Sequence, residues 1–350
     1  MPAAAASLRN AWTGGQYSAV RALVTGTVAV ALARDALAGG SVDPLSASLA
    51  AMALVVAAGI GVGERLLSGI LASAVAFGSA GGLSGAAVQI ASLWLSAHLL
   101  VPRGPYGSLA ARGRTDPGGN WSLPAWYPAF ALGLFAADRL WCASRVLFDG
   151  SSVLAAAFVF VALLAVFRKT ALAGWALSLV LGLALAWSGR GSFSAAWLLH
   201  LIAFQPAWIP KRPATGTDAP TVFYDGTCAL CHAVVRFLLV EDREPVRFRL
   251  APLQGRAFAE RVHEAERLRA PDSVVVLRDG KVLVKSAAVL AILEDLGGLW
   301  WMACLLAMLL PQGLLDRAYD FVAGHRYRWF GRKVDACPLM PPALRARIDA

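Results

Sequence analysis

Over roughly the first 210 residues apolar side chains run almost unbroken, and polar residues gather in short clusters between the runs. Runs at 17–38, 45–62, 66–82, 84–101, 125–146, 151–167, 171–188 and 192–209 predict about eight helices. Several approach the length a helix needs to cross a bilayer, so the pattern predicts an α-helical polytopic membrane bundle. Small residues in AGIGVG and SAGGLSGAA suit close helix packing in lipid and form no phosphate-binding loop.

The polar stretch KRPATGTDAP (211–220) ends this pattern and reads as a linker between residues 1–210 and 221–350. Beyond it the period changes. TVFYDG (221–226) predicts a short buried strand closed by Asp-Gly, and CALCHAVVRFLLVED (228–242) carries Leu230, Val234, Val235, Leu238 and Leu239 on one helical face. VRFRLAPL (246–253) predicts a second strand, and RAFAERVHEAERL (256–268) one charged amphipathic helix. SVVVLRDGKVLVKS (273–286) predicts a hairpin turning at Asp279-Gly280, followed by a helix over 287–298. The order βαβαββα is that of a thioredoxin-like α/β domain. LWWMACLLAMLLP (299–311) is too short to span a bilayer; a core helix is favoured over one lying on the membrane surface. The segment 314–338 predicts a helix packed on the domain with a basic face toward lipid headgroups.

Composition sharpens the division. Hydrophobic residues make up 58% of the 350 and charged residues 15%, a balance that asks for a solvent other than water around part of the chain. The formal net charge is +10, but the basic residues are scattered, which favours anionic lipid over nucleic acid as the partner. Nine Lys/Arg fall in one set of alternate loops (Arg9, Arg65, Arg103, Arg112, Arg114, Arg168, Lys169, Lys211, Arg212) and three in the other (Arg34, Arg145, Arg190). For an even helix count this predicts an integral protein of the plasma (inner) membrane with both termini cytoplasmic. Arg21, His98, Asp138, Arg139 and His200 are polar groups at membrane depth; Asp138 and Arg139 read as a helix-end pair and the histidines as structural.

Five cysteines are too few for a disulfide scaffold, and Cys228 and Cys231 alone have a meaningful spacing. At a helix start, unpaired N–H groups and the helix dipole favour a thiolate at Cys228, and Cys231, one turn on and more buried, can resolve a mixed disulfide. His232 follows the pair, where a thiolate-stabilising role stands against a side chain pointing away. Asp225 can either move a proton to and from the buried thiol or hydrogen-bond the turn. A zinc site lacks a second ligand pair at recognised spacing, and a purely structural pair is the other reading.

YDGTCALC, KSAAVLAILEDLGG and HRYRWFGRKVDAC together closely resemble the DCC family of thiol-disulfide oxidoreductases, named for its Asp and two Cys. The resemblance implies a thioredoxin-like fold and dithiol chemistry, with Asp225, Cys228 and Cys231 in the family's positions and Tyr224, His232 and Asp272 as supporting candidates. Thioredoxin-like enzymes usually place a cis-proline before the third strand; here Asp272 falls at that position and Pro271 one residue early. WTGGQYS (12–18) and HLIAFQPAWIP (200–210) are weakly similar to membrane domains related to the vitamin K-dependent carboxylase family. The expectation is a membrane-anchored thiol-disulfide oxidoreductase acting on a protein or small-molecule disulfide or dithiol. It requires no cofactor, although with only Cys142 in the bundle a quinone or another protein would have to carry electrons there. The alternative is a transporter or lipid-binding protein regulated by a redox-sensing soluble domain.

Overall fold

The computed structural model describes residues 11–38, 43–60, 64–76, 85–119, 121–167, 169–189, 191–209, 211, 219–243, 247–269, 274–332 and 341–349. The chain is mostly helical, with a small mixed sheet toward its C-terminus, and divides into two compact units. The first comprises Met1–Arg112 and Trp121–Trp208, the second Gly113–Asn120 and Ile209–Ala350.

In the first unit the described helices are α1 (Gly14–Ala38), α2 (Pro44–Ala58), α3 (Glu64–Ala76), α4 (Gly85–His98), α5 (Tyr127–Phe148), α6 (Ser152–Val166), α7 (Ala171–Trp187) and α8 (Phe193–Ala203). They follow the eight apolar runs. Asp43 starts α2 by accepting the Ser46 N–H at 2.8 Å, with Pro44 in the first turn, and Gly59 closes it at φ 66°. Among the described residues no single helix is long and apolar enough to cross a membrane.

Several polar side chains of this unit lie inside. Arg21 of α1 reaches Glu64 at 3.2 Å, and His98 of α4 bridges Glu64 at 3.1 Å and the Tyr17 hydroxyl at 2.5 Å, all four buried. Trp12 donates to Gln205 at 3.1 Å, tying together the two stretches WTGGQYS and HLIAFQPAWIP. Asp138 and Arg139 are not a helix-end pair: they sit mid-way along α5, where Arg139 is buried and donates to Ser178 of α7 at 3.2 Å. Burial leaves that guanidinium nowhere to go but onto its neighbours. His200 is buried, its Nδ1 bonding to the Ala196 carbonyl at 2.6 Å.

The second unit holds β1 (Thr221–Tyr224), α9 (Ala229–Glu241), β2 (Arg249–Pro252), α10 (Arg256–Arg261), α11 (Glu264–Arg269), β3 (Val275–Arg278), β4 (Lys281–Val284), α12 (Lys285–Leu296), α13 (Gly298–Ala307), α14 (Gln312–Phe330) and α15 (Pro342–Arg345). The sheet order is β2-β1-β3-β4, with β1 parallel to β2 and β3 antiparallel to both its neighbours. Asp279 and Gly280 turn the β3–β4 hairpin at φ 52° and 72°, as the Asp-Gly pair predicts. One face of the sheet carries Val222, Tyr224, Leu250 and Val276 against α9 and α12; the other carries Phe223, Ala251 and Val275 against Ala257 and Val262.

Three further expectations change. The single helix over 256–268 is two short ones, because Val262 leaves the helix at φ −112°, ψ 127° and drops into the second cluster. The segment 299–311 is not a core helix throughout: Cys304 is buried, but Leu305 and Leu306 at the end of α13 and Met308, Leu309 and Leu310 beyond it are exposed. Gly113–Asn120, part of a loop read with the helical half, clusters with the second unit, where the Arg114 carbonyl accepts from Arg236 of α9 at 2.5 Å.

Candidate functional site

β1 ends at Tyr224 and the chain turns through Asp225–Thr227 into α9. Asp225 Oδ1 accepts the Thr227 N–H and hydroxyl, each at 2.9 Å, which is the Asx geometry that reverses the chain here. Gly226 N–H and Asp225 Oδ1 are further held by Gln254, at 3.1 and 3.2 Å, just after β2. The turn delivers Cys228 to the N-cap of α9, where its Sγ accepts the Cys231 N–H at 3.4 Å. A cap residue accepts one of the helix's orphan N–H groups, and a sulfur there faces the positive end of the helix dipole.

Both thiols are free and buried. Cys231 is pushed up to about 12 by burial, by its hydrogen bond to Cys228 and by the Cys228 charge, with the Asp225 backbone N–H acting the other way. The pair is therefore asymmetric: the Cys228 sulfur accepts a helix N–H, and Cys231 keeps its proton at neutral pH. Burial does not follow the expected order, since Cys228 is 0% exposed and Cys231 5%. A segment a hundred residues on pairs with the backbone here. Gly331 accepts the Ala229 N–H at 3.3 Å, and Arg332 forms an isolated antiparallel bridge with Cys228.

The supporting candidates separate. His232 binds the Gly226 carbonyl through Nε2 at 2.8 Å and meets the Tyr224 ring edge-on at 5.9 Å, so it braces the turn. Tyr224 is buried in the core cluster with both cysteines. Asp272 and Pro271 lie outside the described residues.

Asp225 is buried, yet hydrogen bonds from Tyr327, Thr227 and Gln254 overcome the upward push of burial and hold its carboxyl below the ordinary range. Tyr327, near the end of α14, donates to Asp225 Oδ2, and Arg326 stands 3.6 Å from the same oxygen. Sequence reasoning missed Tyr327, Thr227 and Gln254 as partners of Asp225; HRYRWF, which carries Tyr327, is the one signal that pointed toward the first. The unit's other described thiol, Cys304, donates to the Leu290 carbonyl at 3.4 Å, and burial raises its pKa. It is a buried thiol away from the pair.

The described site is thus a pair of neighbouring thiols at a helix start beside a mixed four-stranded sheet. The model for the DCC1-like thiol-disulfide oxidoreductases matches residues 222–332, and the chain belongs to this family through its C-terminal region. It is 30% identical over 131 residues to the uncharacterized protein YuxK of Bacillus subtilis, covering 91% of that protein and 36% of this chain. It is 32% identical over 123 residues to a chloroplastic DCC family protein of Arabidopsis thaliana, covering 69% of that protein and 34% of this chain. No solved structure matches the chain. The family match supports a redox function. The matches lie in the C-terminal part, and the likeness of the helical half to vitamin K-dependent carboxylase-related domains remains a resemblance of two stretches.

Proposed function

We propose that the C-terminal unit is a thiol-disulfide exchange catalyst in which Cys228 attacks and Cys231 resolves. The observation that carries the reading is the asymmetry of the pair at the N-cap of α9: one sulfur accepts a helix N–H while the other retains its proton. The sheet order β2-β1-β3-β4 with β3 reversed supports a thioredoxin-like fold behind it.

The Cys228 thiolate attacks one sulfur of a substrate disulfide. The substrate S–S bond breaks, a mixed disulfide forms, and one substrate thiolate leaves and takes up a proton. Two of the influences raising Cys231, the hydrogen bond to the Cys228 thiolate and its charge, vanish once Cys228 is bonded, so Cys231 loses its proton more readily at that moment. Its thiolate then attacks Cys228 Sγ and releases the second substrate thiolate. The substrate gains two electrons and two protons; the enzyme ends as the Cys228–Cys231 disulfide and needs an external dithiol to return. No cofactor enters these steps.

The N-terminal unit is proposed as a membrane anchor of the plasma (inner) membrane with both termini cytoplasmic. The support comes from its surface rather than from the length of any helix: Phe148, Val153, Val180 and Trp187 point outward while Arg21, Glu64, His98 and Arg139 are inside. On the cytoplasmic side, where most thiols are kept reduced, a reductase or redox sensor fits better than an oxidase.

The test is a redox titration of the full-length protein in dithiothreitol buffers, with free thiols trapped by a mass-tagged maleimide, beside Cys228→Ser and Cys231→Ser. A reversible two-thiol step absent from both variants is expected. A pair that never oxidises reversibly would refute the dithiol mechanism.

A further inference from the structure

The last turns of α14 lie against the dithiol and do more there than fill space. The helix ends at Gly331, whose φ of +80° lies in the left-handed region that suits glycine. That reversal brings the Gly331 carbonyl onto the Ala229 N–H and pairs the Arg332 backbone with Cys228, whose side chain is fully buried. Access is one of the determinants of thiol-disulfide exchange rates, so a backbone lying across the attacking thiol is a barrier to every substrate.

What holds that segment down is Tyr327. Its hydroxyl donates to Asp225 Oδ2, on the turn that carries Cys228, while Thr227 and Gln254 occupy Oδ1. Two guanidinium groups approach its ring, Arg326 at 4.5 Å and Arg332 at 4.7 Å from the centroid, and the ring packs on the core cluster that contains both cysteines. One side chain therefore joins the cysteine turn, the end of α14 and the covering segment.

We propose that Tyr327 is a positioning residue of the dithiol: its bond to Asp225 clamps Gly331–Arg332 across Cys228, and the segment must lift before a disulfide reaches the sulfur. The clamp sets both the rate at which Cys228 reacts and its preference for slender over bulky partners. This rests on the reading of Cys228 as the attacking thiol.

The experiment uses the reduced full-length protein and site-resolved mass spectrometry to follow alkylation of Cys228, Cys231 and Cys304 by iodoacetamide and by a polyethylene-glycol maleimide. Tyr327→Phe keeps the ring and removes only the hydroxyl; Gly331→Ala loosens the segment from its other end without touching any group on Asp225. Loss of a hydrogen bond to a charged acceptor corresponds to about tenfold or more in the population of the lifted state. Both variants are expected to raise Cys228 alkylation by about that factor, more for the bulky reagent than the small one, with Cys304 unchanged. Unchanged Cys228 rates in Tyr327→Phe would overturn the clamp, and so would an equal rise at Cys304, which would mean general loosening. The outcome is separable from that of the mechanism it rests on. A wild type that forms its reversible disulfide while Tyr327→Phe alkylates normally refutes the clamp alone, whereas a pair that never oxidises refutes the dithiol reading whatever the alkylation rates.

Discussion

Both units bury apolar residues and paired charges, but among the described residues the first leaves more of its large apolar side chains outside. In the C-terminal unit Phe223, Val222, Leu250 and Val275 are buried against helices, the ordinary order of a domain in water. In the N-terminal unit Phe148 is 90% and Trp187 87% exposed while Arg21 is 1% and Glu64 4% exposed. An isolated charge placed inside a protein is costly unless paired, and a surface of large apolar side chains is costly in water. Both features are satisfied at once if the outside of the first unit is lipid, and neither is explained by helix length, since no single described helix is long and apolar enough to cross a membrane.

The largest effect should come from breaking the inner charges. Glu64 is shared by Arg21 and His98, and Asp295 in the second unit lies 3.1 Å from Arg247 and 3.5 Å from Arg278. Removing one partner of such a buried pair costs about 3–5 kcal/mol because the other charge is left without compensation. Glu64→Ala and Asp295→Ala should each lower thermal stability by that order in the full-length protein. A neutral Glu64→Ala would mean that the first unit's charges are not held as the structure shows.

The outer surface gives a sharper contrast. Val180, mid-way along α7, is 64% exposed and Leu268 on α11 82%. By ordinary surface reasoning either should tolerate Asp within about 0.5 kcal/mol. If lipid covers α7, Val180→Asp instead costs about 2.5–3.5 kcal/mol and lowers the amount recovered in membranes, while Leu268→Asp stays neutral. Equal tolerance at both positions would remove the distinction between the units.

Much of this was legible in the sequence, for physical reasons that differ by element. The apolar runs placed the described helices of the first unit within a few residues, because uninterrupted hydrophobicity is a local property. Cys228 and Cys231 were legible because their spacing alone puts both sulfurs at one helix start. Asp225 was found but not its partners: Tyr327 lies 102 residues away, and nothing local announces a contact of that separation. The break at Val262 was hidden for a related reason, since a helical pattern does not show which valine the opposite face of the sheet will claim.

The smallest effect separates two aspartates inside the second unit. Hydrogen bonds hold Asp225 below the ordinary carboxylate value near 4, whereas burial outweighs Arg247 and Arg278 and holds Asp295 above it. A carboxyl with a depressed folded pKa contributes stability that is present above its unfolded pKa and lost as pH falls through the folded one; a raised carboxyl does the reverse, since the folded state then binds more protons than the unfolded. Melting curves of reduced wild type, Asp225→Asn and Asp295→Asn across the acid range isolate the two. The advantage of wild type over Asp225→Asn should shrink on acidification below about pH 4, by about 2–4 °C for each kcal/mol lost. Relative to Asp295→Asn, wild type should gain as pH falls from neutral through the raised pKa. If both gaps move in the same direction, the claim that the Tyr327, Thr227 and Gln254 hydrogen bonds keep Asp225 ionised is wrong, and with it the electrostatic distinction between the aspartate at the dithiol and the one in the core.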